Sequence, residues 1–142
     1  MKFLYSLIVM FFLGFGSLAY AEEGHIDNKD AWLQHAATLI KSADFEALEE
    51  SCKKTLGATM HQDVEDLLEP LQNVMADHEA LYVDKVNRIE LGRTFDQHIY
   101  AAYYGHRQFV FYSFTFARLE NGWQLYAIDF ADSLEGLNPA VN

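Results

Sequence analysis

The feature that most constrains the fold is an Asn-Gly pair, Asn121 and Gly122, set between two runs rich in Phe, Tyr and Ile. The runs are 108–120 and 123–132. A type I′ turn needs a positive φ at both central residues, and Asn and Gly tolerate this best. The pattern therefore predicts a β-hairpin with a two-residue loop.

A two-residue loop fixes which side chains share a face of the hairpin. It predicts that Asp129 shares a face with Trp123 and opposes Phe114, and that this more apolar face looks toward the helices. The opposite face then carries a second apolar set, which we expect to meet another copy of the chain: Thr115, Ala117, Tyr126, Ile128 and Phe130. A β-bulge would flip part of this assignment.

A third strand-like run, 97–104, precedes the hairpin and is joined to it through residues 105–107. The turn uses two or three residues, and because a one-residue change exchanges the faces, Tyr100 and Tyr103 are not assigned to a side. The hairpin formed by this run and its turn carries a polar-aromatic cluster: His98, Tyr100, Tyr103, Tyr104, His106 and Arg107. It suits either an aromatic or anionic ligand, or tyrosine rings that pack with their hydroxyls in water, and we favour the second interpretation.

The chain before the meander reads as three helices and a leading strand. Asp30 is the expected N-cap of a helix ending near Lys41, and 42–44 restarts a second helix. Thr59 and Gln62 resemble a capping box for a third, which Pro70 should kink or break and which should end by His78. Residues 81–95 read as one long strand with a bulge at Gly92. Three helices and then an antiparallel meander predict an α+β fold.

The first 21 residues predict a secretory signal peptide. Lys2 precedes an apolar run, and Ala19, Tyr20 and Ala21 give a small-x-small cleavage pattern. We expect cleavage after Ala21, a periplasmic or secreted protein with no stable membrane anchor, and one domain over 22–142 with a flexible tail at 135–142. Removing Lys2 leaves nine basic and 21 acidic side chains, a net charge of 9 − 21 = −12. This charge disfavours nucleic acid and anionic membranes as partners.

Candidate chemical groups are few. Cys52 is the only cysteine, so no intramolecular disulfide can form, and we interpret it as a buried apolar residue. No phosphate loop, dinucleotide fingerprint or nucleophile elbow occurs, and no histidine forms a helical i, i+4 pair with His or Cys. We therefore expect no metal, no cofactor and no catalytic residue that sequence alone identifies.

Two stretches carry a family resemblance. One is Ser42 to Leu48, reading SADFEAL, and the other is Glu120 to Phe130, reading ENGWQLYAIDF. Together they resemble the nuclear-transport-factor-2-like superfamily, whose members share a cone-shaped α+β fold. The resemblance implies three helices on a strongly curved antiparallel sheet, often with a pocket between them and often a dimer through the sheet. Catalytic members carry Asp/His or Tyr/Asp sets in the pocket, and no such set matches here residue by residue.

Three functions remain open at this stage. The leading hypothesis is an exported non-enzymatic domain that binds a small apolar ligand or a protein partner and forms a homodimer. The alternatives are a small pocket enzyme, an isomerase or dehydratase using acid/base chemistry, and an accessory or immunity-type protein acting through its surface. Six residues are the candidates for lining a pocket: Asp129, Tyr112, Phe114, Trp123, Tyr100 and Tyr103.

Overall fold

The structure is a computed structural model that describes residues 24–56, 61–75 and 77–137. Three helices come first: α1 (Lys29–Lys41), α2 (Phe45–Thr55) and α3 (His61–Met75). Four strands follow, β1 (Tyr82–Leu91), β2 (Phe95–Gly105), β3 (Gln108–Leu119) and β4 (Gly122–Ala131), and then a 3-10 turn, Glu135–Leu137. The strands form one antiparallel sheet in the order β1-β2-β3-β4, curled but not closed. The predicted α+β arrangement is confirmed.

Local side-chain chemistry starts the first two helices. The N-cap of α1 is Asn28, whose side-chain oxygen accepts a hydrogen bond from the amide of Ala31 at 3.0 Å, so the prediction of Asp30 was wrong by two residues. Asp30 instead lies in the first turn, where a negative charge suits the helix dipole. The restart at 42–44 is confirmed, because Asp44 caps α2 by accepting from the amide of Ala47.

The third helix runs through Pro70 without a break, so of the two predicted effects of Pro70, a kink or a break, the break was wrong. Pro70 is exposed, on the solvent side of α3. Helix α3 ends at Met75, within the expected limit at His78. The predicted capping box lies outside the described part, since Thr59 and the side chain of Gln62 are not described.

Residues 81–95 do not form the single strand that was expected. Strand β1 ends at Leu91, and Phe95 already begins β2. Gly92 has a φ of 64° and belongs to the turn that joins β1 to β2, so the bulge predicted there was wrong. The irregularity in β1 lies elsewhere, because its register against β2 shifts between Lys85 and Asn87. The next turn consists of His106 and Arg107, with Gly105 paired to Gln108.

The hairpin of β3 and β4 exists, but its register differs from the prediction. Gly122 is the first residue of β4 and pairs with Leu119, so the loop is Glu120 and Asn121. A Cβ on Gly122 would lie 2.6 Å from the His25 ring and 2.8 Å from the Ile26 carbonyl oxygen. The glycine therefore serves this close approach rather than a type I′ turn. The N-terminal segment docks there, because the backbone of Ile26 exchanges two hydrogen bonds with Trp123.

A bulge at Tyr126 then reverses the faces of the rest of β4. Phe116 pairs with Leu125, whereas Thr115 pairs with Ala127. Trp123 and Leu125 face the helices as predicted, but beyond the bulge Ile128 faces them in place of Asp129. One extra residue exchanges every later side chain between faces because the side-chain period of a strand is two.

The two faces of the sheet have different surroundings. Inner-face residues pack with the helices in one core: Tyr100, Ala102, Tyr112, Phe114, Phe116 and Leu125. On the outer face Ile99, Ala101 and Ser113 are buried outside that core. The 3-10 turn lies against the outer face where β3 begins and β4 ends, since a Cβ on Gly136 would come within 2.9 Å of the Ala131 Cβ.

Candidate functional site

A buried charged cluster lies on the inner face, at the start of β2. Its centre is Asp96, and the other members are Lys29, Arg88 and His98; we call it the Asp96 cluster. One Asp96 oxygen accepts from Arg88 Nε at 3.0 Å, and the other accepts from Arg88 Nη2 at 3.1 Å, His98 Nε2 at 3.0 Å and Lys29 Nζ. The Asp96 side chain is 4% exposed and that of Lys29 is 9% exposed. The Asp96 carboxylate, the Lys29 ammonium and the His98 ring are thus almost removed from water, whereas the Arg88 side chain is half exposed.

Three elements bring the cluster together. Asp96 and His98 are two apart on β2, so both point to the inner face. Arg88 is the cross-strand partner of His98 on β1. Lys29 is the first residue of α1, and its ammonium also lies 3.8 Å from the centre of the Trp123 ring, a favourable cation–π distance.

The electrostatics keep the carboxylate ionised and the imidazole neutral. Burial alone would raise the pKa of Asp96, but the hydrogen bonds from Arg88, Lys29 and His98 outweigh it and hold that pKa well below its usual range. Burial lowers the pKa of His98, and its bond to Asp96 offsets only part of that effect. An ionised Asp96 can only accept, so His98 Nε2 carries the proton of the neutral ring.

The other ring nitrogen of His98 is the one buried side-chain nitrogen or oxygen of this cluster that its described neighbours do not satisfy. His98 Nδ1 is buried and has no hydrogen-bond partner among the described residues. With Nε2 protonated, Nδ1 is an acceptor. An unsatisfied buried acceptor costs about 1–3 kcal/mol, so this position favours a water molecule or a ligand donor.

Aromatic rings surround the cluster and extend the inner face. Trp32 on α1 meets Phe114 and Phe116 edge-on, with ring centres 5.4 and 5.5 Å apart, and His98 meets Phe116 at 5.9 Å. Farther along the sheet the Tyr112 hydroxyl bonds that of Tyr104 at 2.9 Å. Aromatic side chains therefore make up most of the inner-face surface next to the Asp96 cluster.

The structure places the six predicted pocket residues in three settings. Tyr100, Tyr112 and Phe114 are buried on the inner face, and Trp123 is half-buried there. Tyr103 is on the outer face, paired with Tyr82 and Phe109. Asp129 is exposed on the outer face, opposite Ser113, so the prediction that it loses hydration against the helices was wrong, and the bulge at Tyr126 is the reason.

The outer face carries two exposed apolar patches at opposite ends. The first is a row of rings, in which Tyr82 and Tyr103 have centres 5.1 Å apart and Tyr103 and Phe109 4.8 Å apart. The second holds Phe95 and Tyr126, whose ring centres are 4.9 Å apart. Tyr82 is 44% exposed, Phe109 39% and Tyr126 57%.

The residues predicted to form a dimer interface fall on both faces. Thr115, Ala117 and Tyr126 belong to the outer face, as expected. Ile128 and Phe130 pair with Phe114 and Tyr112 and pack against the core, so their predicted outward position was wrong.

Sequence reasoning missed the Asp96 cluster, although one signal for it was present. The predicted strand began at residue 97 and excluded Asp96, so the Asp-x-His spacing on one strand face went unused. An acid and a histidine two apart in an otherwise aromatic strand indicate a shared face. Neither Lys29 nor Arg88 carries a comparable local signal, because long-range packing alone brings them to Asp96.

In comparisons with known proteins, no protein-family model and no curated protein matched the chain. The arrangement of three helices and a four-stranded antiparallel sheet is compatible with the nuclear-transport-factor-2-like fold. Within 24–56, 61–75 and 77–137, no helix is long and apolar enough to cross a membrane. The same residues bring no three His, Cys, Asp or Glu side chains into a metal-binding group.

The buried imidazole should make the protein sensitive to mild acid. Below about pH 6.5 the unfolded chain protonates His98 more readily than the folded chain does. The free energy of unfolding therefore falls as the pH drops from about 6.5 toward the lowered pKa that His98 has in the folded protein. His98→Gln keeps an N–H donor near Asp96 but does not titrate. We expect its melting temperature to change less between pH 7 and pH 5 than that of the unmodified protein, as measured by circular dichroism. His35→Gln, at an exposed site on α1, is the control, and equal pH slopes in all three proteins would exclude the effect.

Proposed function

We propose that the chain is an exported, non-enzymatic domain of the nuclear-transport-factor-2-like type that works as a binding module through the outer face of its sheet. Its first partner is a second copy of itself. The observation that supports this is the pair of exposed apolar patches around Tyr82 and Tyr126. Contiguous apolar surface of this kind marks interaction sites, and aromatic residues are enriched in interfaces.

The charge distribution favours self-association over an oppositely charged partner. The mature chain is strongly acidic, so two copies repel each other unless they meet at an uncharged surface. The two central strands, β2 and β3, carry no charged side chain on the outer face. The charged side chains of that face lie on the flanking strands, Asp84 on β1 and Asp129 on β4. A two-fold pairing through the Tyr82 and Tyr126 patches, which lie on either side of the buried Ile99, Ala101 and Ser113, would join uncharged surfaces of the two copies.

The test of this proposal is the mass of the mature chain, residues 22–142, by light scattering at tens of micromolar. We expect about twice the monomer mass, falling toward the monomer on dilution. A monomer at every concentration would contradict self-association and would leave a different protein as the only possible partner of the face.

A small pocket enzyme is the second candidate, and one observation favours it. His98 is oriented by Asp96 through Nε2 and presents an unpartnered Nδ1, the arrangement of a histidine base held in one tautomer. Against it, Nδ1 is buried and the cations of the cluster are bound to Asp96. Screening isomerase and dehydratase substrates with the unmodified protein and with His98→Gln separates the candidates, since only an enzyme loses turnover in the variant.

Export is part of the proposal and has its own prediction. We expect the protein recovered from the exporting cell to begin at Glu22, because Ala19 and Ala21 supply the small residues that signal peptidase requires. Intact-mass spectrometry measures this directly. Ala21→Arg should block processing and leave the longer chain, whereas a natural product that still begins at Met1 would contradict export. The residues concerned lie outside those the structure describes.

A further inference from the structure

A groove of about 660 Å³ opens at the end of the sheet where β2 turns into β3, remote from the Asp96 cluster. Its apolar wall comes from the last turn of α3 and the start of β3: Val74, Met75, Phe109, Val110 and Phe111. The polar groups are His78, Arg107, Gln108 and Asp132. Both the volume and the mixture of an apolar wall with a few polar groups are typical of small-molecule sites.

Arg107 gives the groove its chemical preference. Among the described residues no carboxylate lies within ion-pair distance of its guanidinium, although the chain has 21 acidic side chains and only ten basic ones. A guanidinium binds a carboxylate through two parallel hydrogen bonds. His78 adds a ring nitrogen, and Asp132 repels an anion from its part of the groove, so an anionic head is directed to the Arg107 end.

The backbone holds Arg107 at the groove in an unfavourable conformation. Arg107 has a φ of 63°, which L residues other than Asn, Asp and His seldom adopt, whereas His106, at 51°, is a residue type that tolerates this region better. Asn-Gly is the preferred pair for such a two-residue turn. The chain therefore uses a poorer turn sequence at a position where Arg107 lines a largely apolar groove, and strained residues of this kind cluster at binding sites.

We infer that this groove is a binding site for an amphipathic carboxylate, with the carboxylate at Arg107 and the hydrocarbon part along Val74, Met75 and Phe109. The site does not require the self-association proposed above, although Phe109 also belongs to the outer face. Failure of one proposal therefore leaves the other intact, since one is measured by ligand affinity and the other by mass.

The test uses the mature chain and two probes of ten carbons each, decanoate and 1-decanol, in calorimetric titration below the micelle concentration of decanoate and below the solubility limit of 1-decanol. Decanoate should bind more tightly than 1-decanol. Arg107→Gln should weaken decanoate at least about tenfold, the effect of losing a charge-assisted hydrogen bond, and leave 1-decanol unchanged. Arg93→Gln, at an exposed turn between β1 and β2, is the matched control and should bind both probes as the unmodified protein does.

A second variant separates binding from folding. Replacing His106 and Arg107 by Asn and Gly should raise the melting temperature, because the turn becomes the preferred one, while decanoate affinity falls as in Arg107→Gln. Equal affinities of decanoate and 1-decanol, unchanged decanoate affinity in Arg107→Gln, or failure of the unmodified protein to bind decanoate would each overturn the inference.

Discussion

Replacing Asp96 by Asn should lower the free energy of unfolding at pH 7 by about 3 kcal/mol or more, the magnitude found when one partner of a buried ion pair is removed. The substitution keeps the shape of the side chain but leaves Lys29 buried without its counter-ion. Urea unfolding followed by tryptophan fluorescence measures the change. In the unmodified protein the pKa of Asp96 is lower in the folded than in the unfolded chain. The contribution of Asp96 to the free energy of unfolding is therefore fully present above about pH 4 and is lost as the pH falls through the pKa of the folded state.

A second substitution tests whether this loss comes from the uncompensated ammonium. Lys29→Met fills a similar volume without charge, so the double variant with Asp96→Asn should recover part of the stability. Asp84→Asn, at an exposed site on β1, controls for the loss of one negative charge. If Asp96→Asn and Asp84→Asn cost the same, the Asp96 cluster does not stabilise the fold.

Introducing Lys at Tyr82 and Tyr126 together should convert the proposed dimer to a monomer by raising its dissociation constant at least about 100-fold, the scale of losing one or two interface hot spots. The pair places one ammonium in each apolar patch. Both side chains are exposed in the single chain, so the fold should tolerate them, as circular dichroism will show. Sedimentation velocity over a concentration series gives the dissociation constant.

Ala31→Lys is the matched control for this experiment. Ala31 is exposed on α1, so it undergoes the same change from an apolar side chain to Lys away from the outer face. It should leave the dissociation constant unchanged. Equal weakening by both changes would mean that the outer face is not the interface, and only an effect restricted to the sheet variant supports it.

The fold class was predictable because its signals are local and repeated. The apolar stripe of α1, the Asp44 cap of α2 and the aromatic runs of the sheet each depend on residues a few positions apart. The local preference of each segment therefore agrees with the helix or strand that it forms, as is general in natural sequences. The order of the helices and strands then follows from the chain.

The register of the last hairpin was not predictable, because a distant segment determines it. Asn121 and Gly122 read as a turn by local rules, yet Gly122 is a strand residue that leaves room for His25 and Ile26. The bulge at Tyr126 has no signature in the sequence either. Its consequence is large, since it alone decides that Ile128 packs inward while Asp129 meets solvent.

The Asp96 cluster lies between these extremes. Asp96 and His98 share a strand face by spacing alone, so half of the cluster was within reach of sequence reasoning. Lys29 comes from a helix 67 residues earlier in the chain, and only the packed fold brings the two together. Long-range ion pairs carry no periodic pattern, which is why neither member was among the predicted site residues.

Hydroxyl-radical footprinting of the unmodified mature chain tests the proposed role of the outer face most directly, because it reports the solvent exposure of individual aromatic side chains. We expect the oxidation of Tyr82, Phe109 and Tyr126 to slow as the protein concentration rises through the dissociation constant of the proposed dimer. His35, exposed on α1, should be oxidised at one rate throughout. Concentration-independent oxidation of the three outer-face rings, or protection of His35 in their place, would contradict it.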